Sequence, residues 1–204
     1  EEAMGGSKRR GGDGWFEEER RRWVVRRGEG AMADGSSVGC GSRQAQDVRR
    51  KASGAGAHAT FVENLAYALD ITRGLGVQIL IEPINVHDVP AYFLKTVDQA
   101  IDIINEIGST NLKMMFDFYH VERQQGSATT RFQDALNFVG HVQFASVPDR
   151  ASPDHGDLDF DEVFKVLDAQ WSGFCGAEYR PDGPTDASLQ WLNNLNSDRD
   201  KANE

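Results

Sequence analysis

The sequence predicts an α/β protein built on a parallel sheet, and three observations predict it. Four strand-length runs, VQILIE, LKMMFD, HVQFASV and FCGAE, are near-continuously apolar, as strands covered on both faces must be. Segments with helical periodicity stand between them. The oxygen-bearing side chains that close or nearly close these runs, Glu82, Asp117, Gln143 and Glu178, lie 35, 26 and 35 residues apart, the pitch of one helix plus one strand.

Residues 1–56 form a Gly/Arg-rich segment. The first 58 residues hold 12 of the 21 glycines and no sustained periodicity, so the segment is expected to be largely irregular. Its exception is DGWFEEERRRWVVRRG, where Asp13 can cap, Glu17 and Glu18 can face Arg21 and Arg22, and Gly28 can terminate; these signals predict a short helix.

From about residue 60 the texture changes. In FVENLAYALDITRGLG, Phe61, Leu65, Ala68, Leu69 and Leu75 fall on one side of a helix that leads into the first strand. The loop EPINVHDVPAYFL follows, with Pro83 and Pro90 opposing helix. TVDQAIDIINEIG then places Val97, Ala100, Ile101, Ile104 and Ile107 on one stripe and stops at Gly108, before LKMMFD. VERQQGSATT reads as a polar linker to a short helix, RFQDALNFVG. After HVQFASV and a loop come the helix DEVFKVLDAQ and the strand FCGAE. Residues 57–195 thus repeat helix, strand and loop four times, and 196–204 are a polar tail.

Three carboxylates and an amide at the ends of successive parallel strands converge on one edge, where such architectures bind ligands. Their oxygens suit a hard cation, Mg²⁺ or Mn²⁺. A carboxylate closing an apolar strand loses solvation, and a divalent cation reverses that penalty. Near such an ion a carbonyl is polarised, and a neighbouring carboxylate can remove the adjacent C–H proton, so Glu82 and Glu178 are the candidate acid/base pair. The bland alternative is that each acid merely ends a strand in solvent.

His120 can contact substrate or pack beside Tyr119. Arg150 can pair with a substrate carboxylate or with its neighbours Asp149 and Asp154. His87 and His141 read as loop or strand-edge residues, and Trp171 and Trp191 as packing residues. The two cysteines form no CxxC or Cys/His cluster, and Cys175 reads as a small buried hydrophobe.

Charge narrows the partners. The net charge is −10, and residues 59–204 carry 23 acidic against 10 basic side chains, a balance that repels a phosphate backbone and argues against nucleic acid. No run approaches a membrane span, and EEAMGGSKRRGG lacks the apolar stretch of a secretory signal, so the expectation is a cytoplasmic protein without a membrane partner. The chain begins with Glu instead of Met, which raises the expectation of a partial or mis-joined sequence whose first residues are foreign to the fold.

The segments IEPIN, MMFDFYH, GHVQFASVPDR, GDLDF and GAEYRPDG followed by LQWL resemble, in order and spacing, the hydroxypyruvate isomerase family of the xylose-isomerase-like barrels. The resemblance runs from about Ala57 to Leu192. It implies the last four β/α units of a TIM (β/α)8 barrel, a fold that typically takes about 250 residues. It further implies that Glu82, Asp117, Gln143 and Glu178 bind a divalent metal and that the two glutamates move the proton. The implied reaction interconverts hydroxypyruvate and 2-hydroxy-3-oxopropanoate, and His120 and Arg150, read above as substrate contacts, are the candidates to bind that small hydroxy-oxo acid.

Related ketose 3-epimerases usually carry histidine where Gln143 stands, and an abasic-site endonuclease needs more histidines and a basic face. The family commonly continues Pro-Asp-Arg with His-Glu-Pro-Asp-Asp-Gly, whereas Ala151, Ser152, Pro153, Asp154, His155 and Gly156 follow here. Alternatives are an isomerase of a related 2-oxo-tetronate or sugar, and a non-catalytic metal-binding remnant. A half-barrel leaves open sheet edges, through which copies can pair as a homo-oligomer.

Overall fold

The computed structural model describes residues 56–193 together with the backbone of two strands, β1 (Phe16–Glu18) and β2 (Arg21–Arg27). The rest of the Gly/Arg-rich segment and the 196–204 tail lie outside the described residues. The helix expected across 13–28 is replaced by these two strands. Trp23, Val24 and Val25 favour extended backbone, and β2 finds a parallel partner in β6.

The remaining elements are α1 (Ala57–Ile71), β3 (Ile79–Ile81), α2 (Val97–Ile107), β4 (Leu112–Asp117), α3 (Phe118–Gln125), α4 (Ala128–Ala135), β5 (Val139–Phe144), α5 (Phe160–Gln170), β6 (Cys175–Tyr179) and the single turn α6 (Thr185–Ser188). The sheet order is β1-β2-β6-β5-β4-β3, and β3, β4, β5 and β6 are all parallel. This is the expected α/β architecture: each strand returns through helix to lie beside its predecessor.

Along β4, Leu112, Met114 and Phe116 are buried beneath the helices, while Lys113 and Met115 on the opposite face are half-buried. At β4 the cover is thus complete on one face and partial on the other, whereas Val142 to Phe144 of β5 and Cys175 to Ala177 of β6 are buried on both faces, as expected. On the sealed side Phe116, Phe118 and Phe132 meet at ring distances of 5.0–5.3 Å. A second cluster joins Phe144, Phe160, Phe164 and Trp191. Cys175 is buried in the same core, as expected of a small hydrophobe.

Helix ends follow their caps. Thr96 accepts from the Gln99 N–H to start α2, and Gly108 ends it with φ 66°, a conformation favouring residues without Cβ. The buried stripe of α2 is Val97, Ala100, Ile103 and Ile104, with Ile101 and Ile107 at its margin. α1 ends before Leu75, which is 69% exposed instead of continuing the helical stripe.

The supposed linker VERQQGSATT is mostly helix. Asp117 accepts from the Tyr119 N–H and starts α3, whose buried side is Phe118, Tyr119, His120 and Val121. Only Gly126 and Ser127 separate it from α4, and the polar residues of the segment are largely half-buried, Gln124 and Gln125 accepting the Val86 and Val97 N–H groups. Among the described residues no helix is long and apolar enough to cross a membrane.

Candidate active site

The site depends on a register irregularity. Met114 pairs with Val139, but Met115 pairs with His141, so β5 carries one extra residue opposite β4. Asp117 consequently pairs with Gln143; an unbroken register would have set Val142 there. Gly140 permits the crowding, because a Cβ at this position would come within 2.7 Å of both Leu80 Cδ2 and Lys113 Cβ.

Asp117 is fully buried and Gln143 nearly so. Two oxygens, Asp117 Oδ2 and Gln143 Oε1, are buried without a hydrogen-bond partner among the described residues. Buried polar atoms are almost always satisfied. Two acceptors from adjacent strands, both lacking a donor, fit a cation. Glu82 follows β3 by one residue, and Glu178 lies two residues beyond Gly176, the β6 partner of Gln143.

Arg150 is the local counter-charge. Its Nη2 donates to Glu178 Oε2 at 2.9 Å and lies 3.9 Å from Asp117 Oδ2, while Nη1 lies 3.9 Å from Asp88 Oδ2. The guanidinium carbon sits 5.1 Å from the Tyr119 ring centroid. Neither neighbour considered in the sequence is its partner, because Asp149 and Asp154 bond His155 at 2.9 and 2.7 Å. Arg150 has φ 58°, uncommon for a residue with a side chain. Its N–H donates to Ser146 O and its carbonyl accepts from the Arg180 N–H, which hold that conformation.

His120 is buried in the site, not merely packed beside tyrosine. Its Nε2 lies 3.7 Å from Glu82 Oε1 and 3.8 Å from Asp117 Oδ2. Candidate ligand atoms of Glu82, Asp117 and His120 all fall within 4.8 Å of one another. Burial, followed by the nearby Arg150 charge, depresses the imidazole to about 3, so the ring is neutral near pH 7. Burial pushes the Asp117 carboxyl up to about 7, Arg150 opposing and Glu178 reinforcing.

Asn85 and Asp88, unassigned in the sequence reading, complete the site. Burial raises Asp88, but hydrogen bonds from Tyr119 and Asn85, with the Arg123 charge behind them, leave it below its usual 3.8. Asn85 lies within IEPIN, yet only folding brings it beside His120. An open cleft of about 330 Å³ adjoins, lined by His87, Glu122, Arg123, Val147, Pro148 and Asp157.

Parallel strands whose carboxyl ends present a cluster of acids define the class as a β/α-barrel protein with its site at that edge. The Xylose isomerase-like TIM barrel family model matches residues 11–195, and the chain belongs to that family. The match also takes in most of the Gly/Arg-rich segment, where the sequence alone offered no likeness.

The chain is 42% identical over 135 residues to the 2-oxo-tetronate isomerase of Cupriavidus necator, covering 66% of this chain and 52% of that protein. It is 38% identical over 136 residues to the hydroxypyruvate isomerase of Escherichia coli, covering 66% and 53%. The crystal structure of AP endonuclease, family 2, from Brucella melitensis aligns with TM-score 0.66 at 28% identity, covering 76% of this chain and 70% of that one. The chain spans about half the length of the curated relatives it matches.

Proposed function

We propose that the chain carries the proton-transfer half of an isomerase acting on a small hydroxy-oxo acid, interconverting hydroxypyruvate and 2-hydroxy-3-oxopropanoate. The observation that carries this reading is the pair of orphaned oxygens, Asp117 Oδ2 and Gln143 Oε1, set side by side at the strand ends. Glu82, Asp117, Gln143 and Glu178 would hold Mg²⁺ or Mn²⁺. When bound, the ion polarises the substrate carbonyl and acidifies the neighbouring C–H.

The proton work falls to the glutamates. One carboxylate takes the proton from the hydroxyl-bearing carbon, and a proton returns to the carbon that was the carbonyl. A second proton passes between the two oxygens, so the formula of the acid is unchanged. Glu178 accepts from Arg150 through Oε2, and would release it to offer that oxygen to the ion. Arg150 would then turn its fork toward the substrate carboxylate, as bidentate geometry favours.

The relative named 2-oxo-tetronate isomerase favours a second substrate, the four-carbon 2-oxo acid, on the same machinery. The test gives purified chain Mg²⁺ or Mn²⁺ with each acid and compares it with Glu82→Gln. The wild type should turn over one acid, and the variant should lose roughly 10²- to 10⁴-fold. Metal uptake with no turnover of either acid by the wild type would favour a metal-binding remnant.

A further inference from the structure

Asn85 is fully buried, so its amide needs partners. The partners identify its atoms. The Asp88 backbone N–H, which can only donate, points at the Asn85 side chain from 2.9 Å, so the atom it meets is the amide oxygen. The other terminal atom is the NH₂, with two hydrogens to place. One reaches Asp88 Oδ2 at 3.1 Å, and the other faces His120 Nδ1 at 2.6 Å. The Asn85 backbone N–H approaches the same ring nitrogen at 3.5 Å.

Every hydrogen-bonding group that meets Nδ1 among the described residues is therefore a donor. Asp88 Oδ2 lies 3.9 Å from Nδ1, outside hydrogen-bond reach. A ring nitrogen surrounded by donors must offer its lone pair, and the neutral imidazole then carries its hydrogen on the other nitrogen.

We infer that Asn85, oriented by Asp88, is a positioning residue that locks His120 in the Nε2–H tautomer, making it a hydrogen-bond donor at the site and not a metal ligand. The Nε2–H points to the space bordered by Glu82 Oε1 and Asp117 Oδ2, at distances that leave room for an intervening oxygen. Resting on the isomerase reading, the class of group it receives is a hydroxyl or carbonyl oxygen of the hydroxy-oxo acid. The compact Glu82, Asp117 and His120 grouping would otherwise pass for a metal triad. With Nε2 protonated, the triad has no nitrogen lone pair to give, and the metal is left to oxygen donors, which select hard ions.

The experiment reads the tautomer directly. Full-length chain with ¹⁵N-labelled histidine is examined metal-free by long-range ¹H–¹⁵N correlation, the His120 signals being assigned by their loss in His120→Gln. A bare-nitrogen shift at Nδ1 and a protonated shift at Nε2 are expected; the reverse pattern, or an averaged mixture, overturns the inference. Asn85→Asp sets an acceptor against Nδ1 and should move the hydrogen there. The freed Nε2 should then raise Zn²⁺ affinity relative to Mn²⁺ by about tenfold or more, with a nitrogen-ligand signature in the Co²⁺ absorption spectrum. An unchanged tautomer in a folded Asn85→Asp chain overturns the inference; if that variant does not fold, the wild-type shifts decide alone. Absence of turnover with the expected shifts would count against the isomerase reading only. Turnover with the hydrogen on Nδ1 would count against the tautomer lock only.

Discussion

Replacing Asp117 by Asn probes the most buried charge of the site. The carboxyl is pushed from its usual 3.8 to about 7, chiefly by burial. A carboxyl raised in the folded state binds its proton there at pH values where the unfolded chain has already released it. The stability of the metal-free chain must therefore fall as pH climbs from 3.8 through about 7, and level off above. A pKa gap of about 3, at about 1.4 kcal/mol each, makes the plateau cost about 4 kcal/mol.

Asparagine removes the charge and keeps an oxygen for the Tyr119 N–H, which Asp117 receives at 2.9 Å. The attraction to Arg150 at 3.9 Å already opposes the rise to about 7, so the gain is net of it. The metal-free variant should be more stable than wild type by about 2 to 4 kcal/mol at about pH 8 and nearly equal to it at about pH 4. Urea unfolding in EDTA measures this. Mn²⁺ should narrow the gap and close it at high excess, because the wild type gains about 2.7 kcal/mol at a hundredfold and about 4.1 kcal/mol at a thousandfold excess over Kd while the variant gains little. A variant less stable than wild type in EDTA at pH 8, or a difference that ignores pH, would refute the reasoning.

Three further outcomes are expected. Gly140→Ala adds a Cβ that meets Leu80 and Lys113 within 2.7 Å; it should destabilise by about 1 to 3 kcal/mol and weaken Mn²⁺ binding by shifting Gln143, read by denaturation and metal titration. Phe132→Ala empties a fully buried position between Phe116 and Phe118 and should cost about 3 to 5 kcal/mol in urea unfolding. The His155 imidazole is raised by its hydrogen bonds to Asp154 and Asp149, so its contribution is complete below about pH 6.5 and lost as pH rises through its folded value. As the residue is exposed, His155→Ala should cost at most about 1 kcal/mol at about pH 5.5 and nothing at about pH 9, measured by thermal unfolding across pH.

Much of the architecture was legible because burial leaves a one-dimensional trace. The apolar runs, the stripe through Ala100 and Ile104, and the terminating Gly108 mark strand, helix and stop without reference to distant residues. The trace failed where a partner far along the chain decided the outcome. VERQQGSATT is polar enough to read as linker, yet Phe118 to Val121 bury the start of its helix against β4 and β5. The residues around Trp23 carry helix signals, but the adjoining strand β6 claims them as sheet.

The candidate site divides in the same way. Glu82, Asp117, Gln143 and Glu178 were legible through strand ends, and His120 and Arg150 through the motifs around them. Asn85 was not, since its meaning is a hydrogen bond to a ring 35 residues away. Nor was the Arg150 to Glu178 pair, which spans 28 residues, while the adjacent acids in sequence belong to His155. The extra residue at Gly140 was equally hidden: only a register can show that it brings Gln143 opposite Asp117.

An edge bearing Glu82, Asp88, Asp117 and Glu178 must also fold without any ion, and three devices in the structure make that tolerable. Arg150 spans Glu178, Asp117 and Asp88 from one guanidinium. Burial favours a proton on Asp117. Hydrogen bonds from Tyr119 and Asn85 hold the charge of Asp88. The first two devices compete with the proposed ion, since a proton on Asp117 blocks a ligand lone pair and the Arg150 guanidinium occupies Glu178 Oε2 and repels a second cation. Metal affinity should consequently rise with pH, as Asp117 deprotonates through about 7. Ion binding would then free the Arg150 fork near Tyr119, where an anionic substrate can use it, linking the first ligand to the second through one residue held at φ 58°.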